Sequence, residues 1–161
     1  MKIVLADYTN PRQADDIVYL LDCYAREPSG CGKGLNDSVK RDLVSKLSAF
    51  PGAFSILGYV DDQPAGLVNC FMGFSTFKCK PLVNIHDIVV ARAYRGNGLS
   101  QALLQKVEQV AKEKECCKIT LEVLDGNTVA KNAYRKFGFS AYELKPEMGK
   151  ALFWEKVIEK V

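Results

Sequence analysis

Arg95-Gly96-Asn97-Gly98-Leu99-Ser100 stands between two stretches of different periodicity, and its reading decides the fold. Before it, Leu82 to Val90 is a short, β-branched, apolar run of the kind that makes a buried strand. Behind it, Leu99, Ala102, Leu103, Val107, Val110 and Ala111 recur at helical spacing and predict an amphipathic helix. Lys118 to Leu124 then alternates as another strand. A strand–helix–strand unit of this length is a parallel pair with a right-handed crossover. The six residues make a turn at a helix N-terminus, where backbone N–H groups lack partners and the dipole end is positive. Glycines let that backbone approach a pyrophosphate closely, and Arg95 adds a fixed cation. A tight helix entry without a ligand is the alternative. The Lys-Ser/Thr pair of a Walker loop and the third glycine of a dinucleotide fingerprint are both missing.

Upstream, Ile3 to Ala6 predicts a first strand, and Asn10-Pro11 opens a helix carrying Ile17, Leu20, Leu21 and Tyr24. Glu27 to Asn36 holds Pro28, Gly30, Gly32 and Gly34, the composition of a mobile loop. A second helix is expected from Asp37 to about Ser48, with Val39, Leu43, Val44 and Leu47 inward. Phe54–Val60 and Ala65–Phe74, joined at Asp61-Asp62-Gln63-Pro64, predict a β-hairpin. Downstream, Asn127 starts a helix with Val129, Ala130, Ala133, Tyr134 and Phe137 on one face, terminated by Gly138. Phe139–Leu144 and Ala151–Val157 read as two further strands. The expected fold is α/β (α+β): a mixed central sheet of about six or seven strands, mostly antiparallel, with helices on both faces.

A chain of 161 residues fits one domain, 1–161, and buries roughly 68–70% of its unfolded surface. With 48% hydrophobic and 25% charged residues it is neither disordered, collagen-like nor a coiled coil. No run of 18 apolar residues suits a membrane span, and Asp7 interrupts the opening run too soon for an export leader. The 22 basic and 19 acidic side chains leave a net charge of +3, without the basic stripe of a nucleic-acid binder. Residues 1–80 are balanced, so the excess lies in the second half, where a small phosphorylated ligand would be held. Cys23, Cys31, Cys70, Cys79, Cys116 and Cys117 form no Cys-x-x-Cys pair, and His86 is the sole histidine, so no metal site is expected. These thiols read as reduced, in a cytoplasmic protein, with Cys116-Cys117 as strand-entry packing.

Asn127, Ala130, Tyr134, Gly138 and Phe139 fall in the pattern Asn-x-x-Ala-x-x-x-Tyr-x-x-x-Gly-Phe, on the helix after the next strand. Together with Arg95–Ser100, this resembles the GCN5-related N-acetyltransferase (GNAT) superfamily over about residues 50–157. The two N-terminal helices fit the family's order, and strands three and four look most like its diamine/polyamine acetyltransferase branch. The resemblance implies an enzyme that transfers acetyl from acetyl-CoA to a primary amine of a small molecule, by direct attack in a ternary complex. It also implies fourth and fifth strands splayed to admit the donor. By the same matching, Arg95, Gly96, Asn97, Gly98, Leu99 and Ser100 hold the pyrophosphate, with Ser100 where the family usually has Gly or Ala. The backbone of Ile88, Val89 and Val90 pairs with the pantetheine arm like an extra strand. The N–H of Val89 or Val90 polarises the thioester carbonyl. Tyr134 matches the tyrosine that protonates the departing CoA thiolate, with a core tyrosine as the alternative. Asn127 and Ala130 fall at cofactor-binding positions, and Asn127 also suits a helix N-cap.

An amine nucleophile arrives mostly as ammonium, so a group or water chain must take a proton. His86 is the first candidate base, since an unperturbed histidine side chain has a pKa of about 6.5 and suits work near neutrality, and Glu122 is the second. A structural histidine and a surface acid are their alternatives. Alternation puts His86 on the face of Ile88 and Val90, and Asp87 on the other face, unless a bulge intervenes. The resembling branch carries an acidic pair where this chain has His86-Asp87, making Asp87 a substrate-binding candidate. Glu27, Phe74 and Ser75 are candidate acceptor contacts, with the glycine-rich loop as a lid. The aromatic Phe71–Phe77 run is a candidate lining of the acceptor pocket, with plain core packing as the alternative. Residues around Tyr24 to Lys33 are where the superfamily usually sets acceptor choice. Two other functions stand beside transfer to a small amine: transfer to a protein or peptide amine, and non-catalytic acyl-CoA binding. Many relatives are dimers, and a C-terminal strand with Phe153 and Trp154 suits either a homodimer contact or core.

Overall fold

The computed structural model describes residues 1–28, 30–143 and 145–158, apart from the Met148 side chain. The chain forms two compact units, Met1–Leu124 and Asp125–Val161.

In the first unit the order is β1 (Lys2–Leu5), α1 (Pro11–Ala25), α2 (Asp37–Ala49), β2 (Ala53–Val60), β3 (Gln63–Ser75) and β4 (Lys80–Val90). A 3-10 turn (Arg92–Tyr94), α3 (Leu99–Glu113) and β5 (Ile119–Leu121) follow. Local chemistry explains the boundaries. Pro11 sits at the first turn of α1, where no N–H is missed, and the Asn10 side chain accepts from Gln13 N–H at 3.2 Å. Asp61 and Asp62, at φ 49° and 59°, make the two-residue left-handed turn that suits the twist of the β2–β3 hairpin.

The sheet order is β1-β2-β3-β4-β5, antiparallel through β4, with β5 parallel to β4. It is mixed and mostly antiparallel, as expected, but among the described residues it has five strands rather than six or seven. Ile17 and Leu20 of α1 and Val44 of α2 bury against Leu57, Tyr59, Leu67 and Val89. α3 packs on the sheet through Leu99 and Leu103. A Cβ built at Gly58 would lie 2.9 Å from Leu99 Cδ1, and one at Gly66 2.8 Å from Leu103 Cδ1. A Cβ at either position would therefore force the facing leucine of α3 to shift.

One irregularity positions the site. Asn69 pairs with Asp87 and the next residue, Cys70, pairs with Ile85, so His86 is an extra residue in β4. Such a bulge resets the alternation of a strand.

The second unit contains α4 (Thr128–Phe137) and a 3-10 turn (Pro146–Met148). The two strands expected over Phe139–Leu144 and Ala151–Val157 are not formed by the described residues, and Leu144 lies outside them. One backbone bond, Ala151 N–H to Tyr142 O at 3.2 Å, joins the two stretches at a single point. A strand needs a ladder, and Pro146 and Gly149, with φ 73°, break the run between them.

Candidate active site

β4 and β5 pair at only three registers, Val83–Ile119, Asn84–Thr120 and Ile85–Leu121. β5 ends there, whereas β4 continues to Val90. Ile88, Val89 and Val90 therefore have a strand partner on the β3 side alone. Ala91 donates its N–H to Ala65 O across β3 at 2.8 Å. Alternation along the strand then points the Val89 amide toward β3, and the Ile88 and Val90 amides toward the unpaired edge. Of the two amides considered for the thioester carbonyl, that of Val90 is the one on the unpaired edge. The Val89 side chain is core, 3% exposed.

The glycine turn follows directly. Gly96 and Gly98 lie at φ 82° and 80°, a conformation costly for any residue with a Cβ. Neither has a heavy atom within 4 Å of a built Cβ, so conformation and not crowding selects glycine there. Gly98 is the N-cap of α3 and gives no side-chain cap, leaving the first-turn amides without that partner. Leu99 is buried at 1% exposure and anchors the turn in the core. Arg95 Nε donates to Val90 O at 2.9 Å, folding the side chain back along β4. Its Nη2 pairs with the Glu27 carboxylate from the loop after α1. Glu27, expected to touch the acceptor, instead neutralises the cation expected to meet the pyrophosphate.

On the face of the sheet that α1 and α2 cover lies a cavity of about 330 Å³. Leu21 and Tyr24 of α1, and Leu43 and Leu47 of α2, wall one side. Asn69 and Phe71 of β3, with His86 and Asp87 of β4, form the other. Alternation assigned His86 and Asp87 to opposite faces; the bulge puts both into this cavity. The His86 ring meets Phe71 edge-on, centroids 5.6 Å apart.

Asp87 is held by a buried chain of hydrogen bonds. Ser55 Oγ donates to Asn69 Oδ1 at 2.7 Å, which leaves Tyr8 O–H as donor to Ser55 at 2.9 Å. Asn69 Nδ2 in turn donates to Asp87 Oδ2 at 2.9 Å. Ser55 and Asn69 are 0% and 3% exposed, so each side-chain group needs its partner. Burial, reinforced by the Asp87 and Glu27 charges, raises the Tyr24 phenol above its ordinary pKa and keeps it a proton donor. Sequence reading missed Asn69, although a lone amide in an apolar strand is a visible signal.

Phe74 and Ser75 are not part of the cavity wall. They pair with Pro81 and Lys80 at the far end of the β3–β4 hairpin, five and six residues beyond Asn69, or about 16–20 Å along the strand. Of the aromatic run Phe71–Phe77, Phe71 is the residue in the wall. Glu122 follows the last residue of β5, is exposed, and is not part of the wall.

In the second unit, Asn127 Oδ1 accepts the Ala130 N–H at 3.1 Å, the N-cap bond considered for it. Gly138, at φ 108°, ends α4 with its N–H directed at Tyr134 O and Arg135 O. Tyr134 is half-buried, and its ring meets Phe139 edge-on at 6.0 Å. Ala130, Tyr134 and Phe137 keep to one stripe, whereas Val129, assigned to the same face, is 80% exposed.

Among the described residues no group of three or more His, Cys, Asp or Glu side chains is placed to hold a metal ion. No helix in them is long and apolar enough to cross a membrane.

Comparison with known proteins joins these features. The model of the acetyltransferase (GNAT) family matches residues 15–139. A thialysine N-epsilon-acetyltransferase of Bos taurus is 35% identical over 99 residues, covering 60% of this chain and 53% of that protein. The chain thus spans about half the length of this curated relative. Among solved structures, a probable acetyltransferase superposes with TM-score 0.81 at 23% identity, over 99% of this chain and 100% of the other. An aminoglycoside acetyltransferase from an uncultured soil metagenomic sample does so with TM-score 0.76 at 17% identity, over 97% and 95%. Both likenesses speak for the fold.

Proposed function

The chain belongs to the acetyltransferase (GNAT) family, and we propose that it transfers acetyl from acetyl-CoA to a primary amine of a small molecule, by direct attack in a ternary complex. The observation that carries this reading is one strand, β4, with an unpaired edge leading into the glycine turn and a cavity containing Asp87 and His86 on its face. The open backbone at Gly96 and Gly98 suits a pyrophosphate, since no heavy atom would meet even a Cβ there. Bound acetyl-CoA supplies an activated thioester carbonyl.

The residues then divide the work. The amides of the turn from Gly96 to Ser100 hold phosphate oxygens, with Arg95 as counter-charge once it is released from Glu27. Ile88 and Val90 pair with the pantetheine arm, assisted by Asn127 and Ala130, and the Val90 N–H steadies the developing oxyanion. Asp87 receives the ammonium. His86 or a water chain takes its proton, and the cavity favours His86 over Glu122 for that role. Tyr134 protonates the CoA thiolate as it departs.

The whole of 1–161 is proposed to act as one acetyltransferase domain. The small volume of the cavity, about 330 Å³, supports a small acceptor over a peptide. The exposed Phe153 and Trp154, 72% and 82% accessible, support a homodimer. Six free thiols support a cytoplasmic setting. Nucleic acid and membrane are not among the proposed partners.

The test is loss of the acetyl-CoA thioester absorbance across a panel of amines from pH 6 to 9. The expected result is amine-dependent loss that falls steeply in Tyr134→Phe. Absence of acetyl-CoA binding would overturn the proposal.

A further inference from the structure

The acceptor cavity has a chemical character that narrows its ligand. Resting on the transferase reading above, we propose that the acceptor is a compact primary amine carrying one positive charge on an apolar body, and not a polyamine or an aminoglycoside.

Three observations carry this. The first is size: about 330 Å³ is at the small end of ligand pockets. The second is the wall. Leu21, Leu35, Leu43, Leu47 and Phe71 present hydrocarbon, and Asp87 is the one carboxylate among the described lining residues. The third is the commitment of the neighbouring acids. Glu27 is paired with Arg95. Asp22 accepts from Leu35 N–H at 2.7 Å and pairs with Arg26 and Lys40 at 3.0 and 3.2 Å. Asp22 is thus committed, and Glu27, paired or released, is not part of the cavity wall, so neither meets a second ammonium there.

Position then sets direction. Asp87 directly precedes Ile88–Val90, the stretch proposed to hold the donor, so its carboxylate marks the end of the cavity where transfer occurs. The Asn69 and Ser55 bonds fix that carboxylate to one orientation. An amine entering head-first places its ammonium on Asp87 and its body among the leucines and Phe71. A second ammonium on that body would be desolvated against hydrocarbon without a partner, which is strongly unfavourable. Each added methylene is favourable until the cavity is full, by roughly fourfold in affinity.

Matched acceptors test this in the wild-type protein. Butylamine and hexylamine are compared with 1,4-diaminobutane and 1,6-diaminohexane, then with spermidine and kanamycin, by kcat/KM at one pH. The expected result is a rise from butylamine to hexylamine, with hexylamine about tenfold or more above 1,6-diaminohexane. Equal or better turnover of the diamines, spermidine or kanamycin would overturn the inference and leave the transferase standing. Transfer to none of them, with acetyl-CoA bound, would overturn the transferase reading as well. Leu43→Glu places a second carboxylate in the wall and should move the hexylamine to diaminohexane ratio about tenfold toward the diamine. A folded variant with an unmoved ratio would show that this cavity does not seat the acceptor.

Discussion

Two motifs supported the family resemblance, and they differ in how much of them folding alone explains. In α4, three of the five named positions of the pattern have a plain structural task. Asn127 caps, Gly138 terminates in a left-handed conformation, and Phe139 packs on the Tyr134 ring. In the Arg95–Ser100 turn the glycines are held at positive φ beside empty space, the helix start lacks a side-chain cap, and the cation is folded onto its own strand. The first motif would be selected by helix stability without any ligand. The second leaves helix-start donors without a side-chain cap beside open space, which helix stability does not account for. The turn is therefore the stronger pointer to an anionic ligand, and for Tyr134 the phenol oxygen, not the pattern around it, must be tested.

The largest expected effect addresses that oxygen. Tyr134→Phe should lower kcat by roughly 10²–10⁴-fold. Far-UV circular dichroism should not change, because the bonds at both ends of α4 use Asn127 and backbone groups. An undiminished kcat would return the whole α4 motif to a structural role.

Next in size is the turn. Gly98→Ala keeps the volume small but places a Cβ at φ 80°, which costs about 1–2 kcal/mol. Calorimetry should show acetyl-CoA affinity falling about tenfold, beyond any change in amine KM. Unaltered affinity would remove the distinction between the two motifs.

Asn127→Ala should destabilise by about 1 kcal/mol through the lost cap. A change in acetyl-CoA KM larger than the stability change would give Asn127 the second role that the resemblance implies. Glu27→Gln releases Arg95, and acetyl-CoA affinity should rise two- to threefold at low salt and converge with wild type at high salt. Unchanged affinity would mean that Arg95 does not meet the pyrophosphate.

The smallest effect concerns the loop over the cavity. Burial pushes the Asp22 carboxyl up, but the Leu35 amide, Arg26 and Lys40 outweigh it and hold the group below its ordinary 3.8. A depressed pKa means that the stabilisation is complete above 3.8 and lost as pH falls through the lower folded-state value. Hydrogen exchange at Leu35 should therefore stay protected at pH 5 and speed up below pH 3.8 beyond the global baseline.

What could be read from the sequence is what local rules decide. The β4 strand, the glycine turn, α3 and the capped α4 follow from periodicity and cap chemistry within a few residues. What could not be read depends on a distant partner. The bulge at His86 exists because β3 fixes the register at Asn69 and Cys70, and no residue in Asn84–Ile88 announces it. β5 stops at Leu121 because its ladder stops, although the alternation continues to Leu124. Phe74 and Ser75 were chosen by their place along β3, whereas the cavity is decided across the sheet, where Asn69 and Phe71 face Asp87 and His86. Its single carboxylate emerges only when α1, α2, β3 and β4 meet.

The most direct measurement of the central claim is to saturate the protein with acetyl-CoA labelled in the acetyl group, add a mixture of primary amines, and identify the products by mass spectrometry. The account predicts labelled acetyl on an amine nitrogen, one amide for each CoA released, with little free acetate. Acetyl-CoA left intact by every amine, or hydrolysed at the same rate without any, would contradict it.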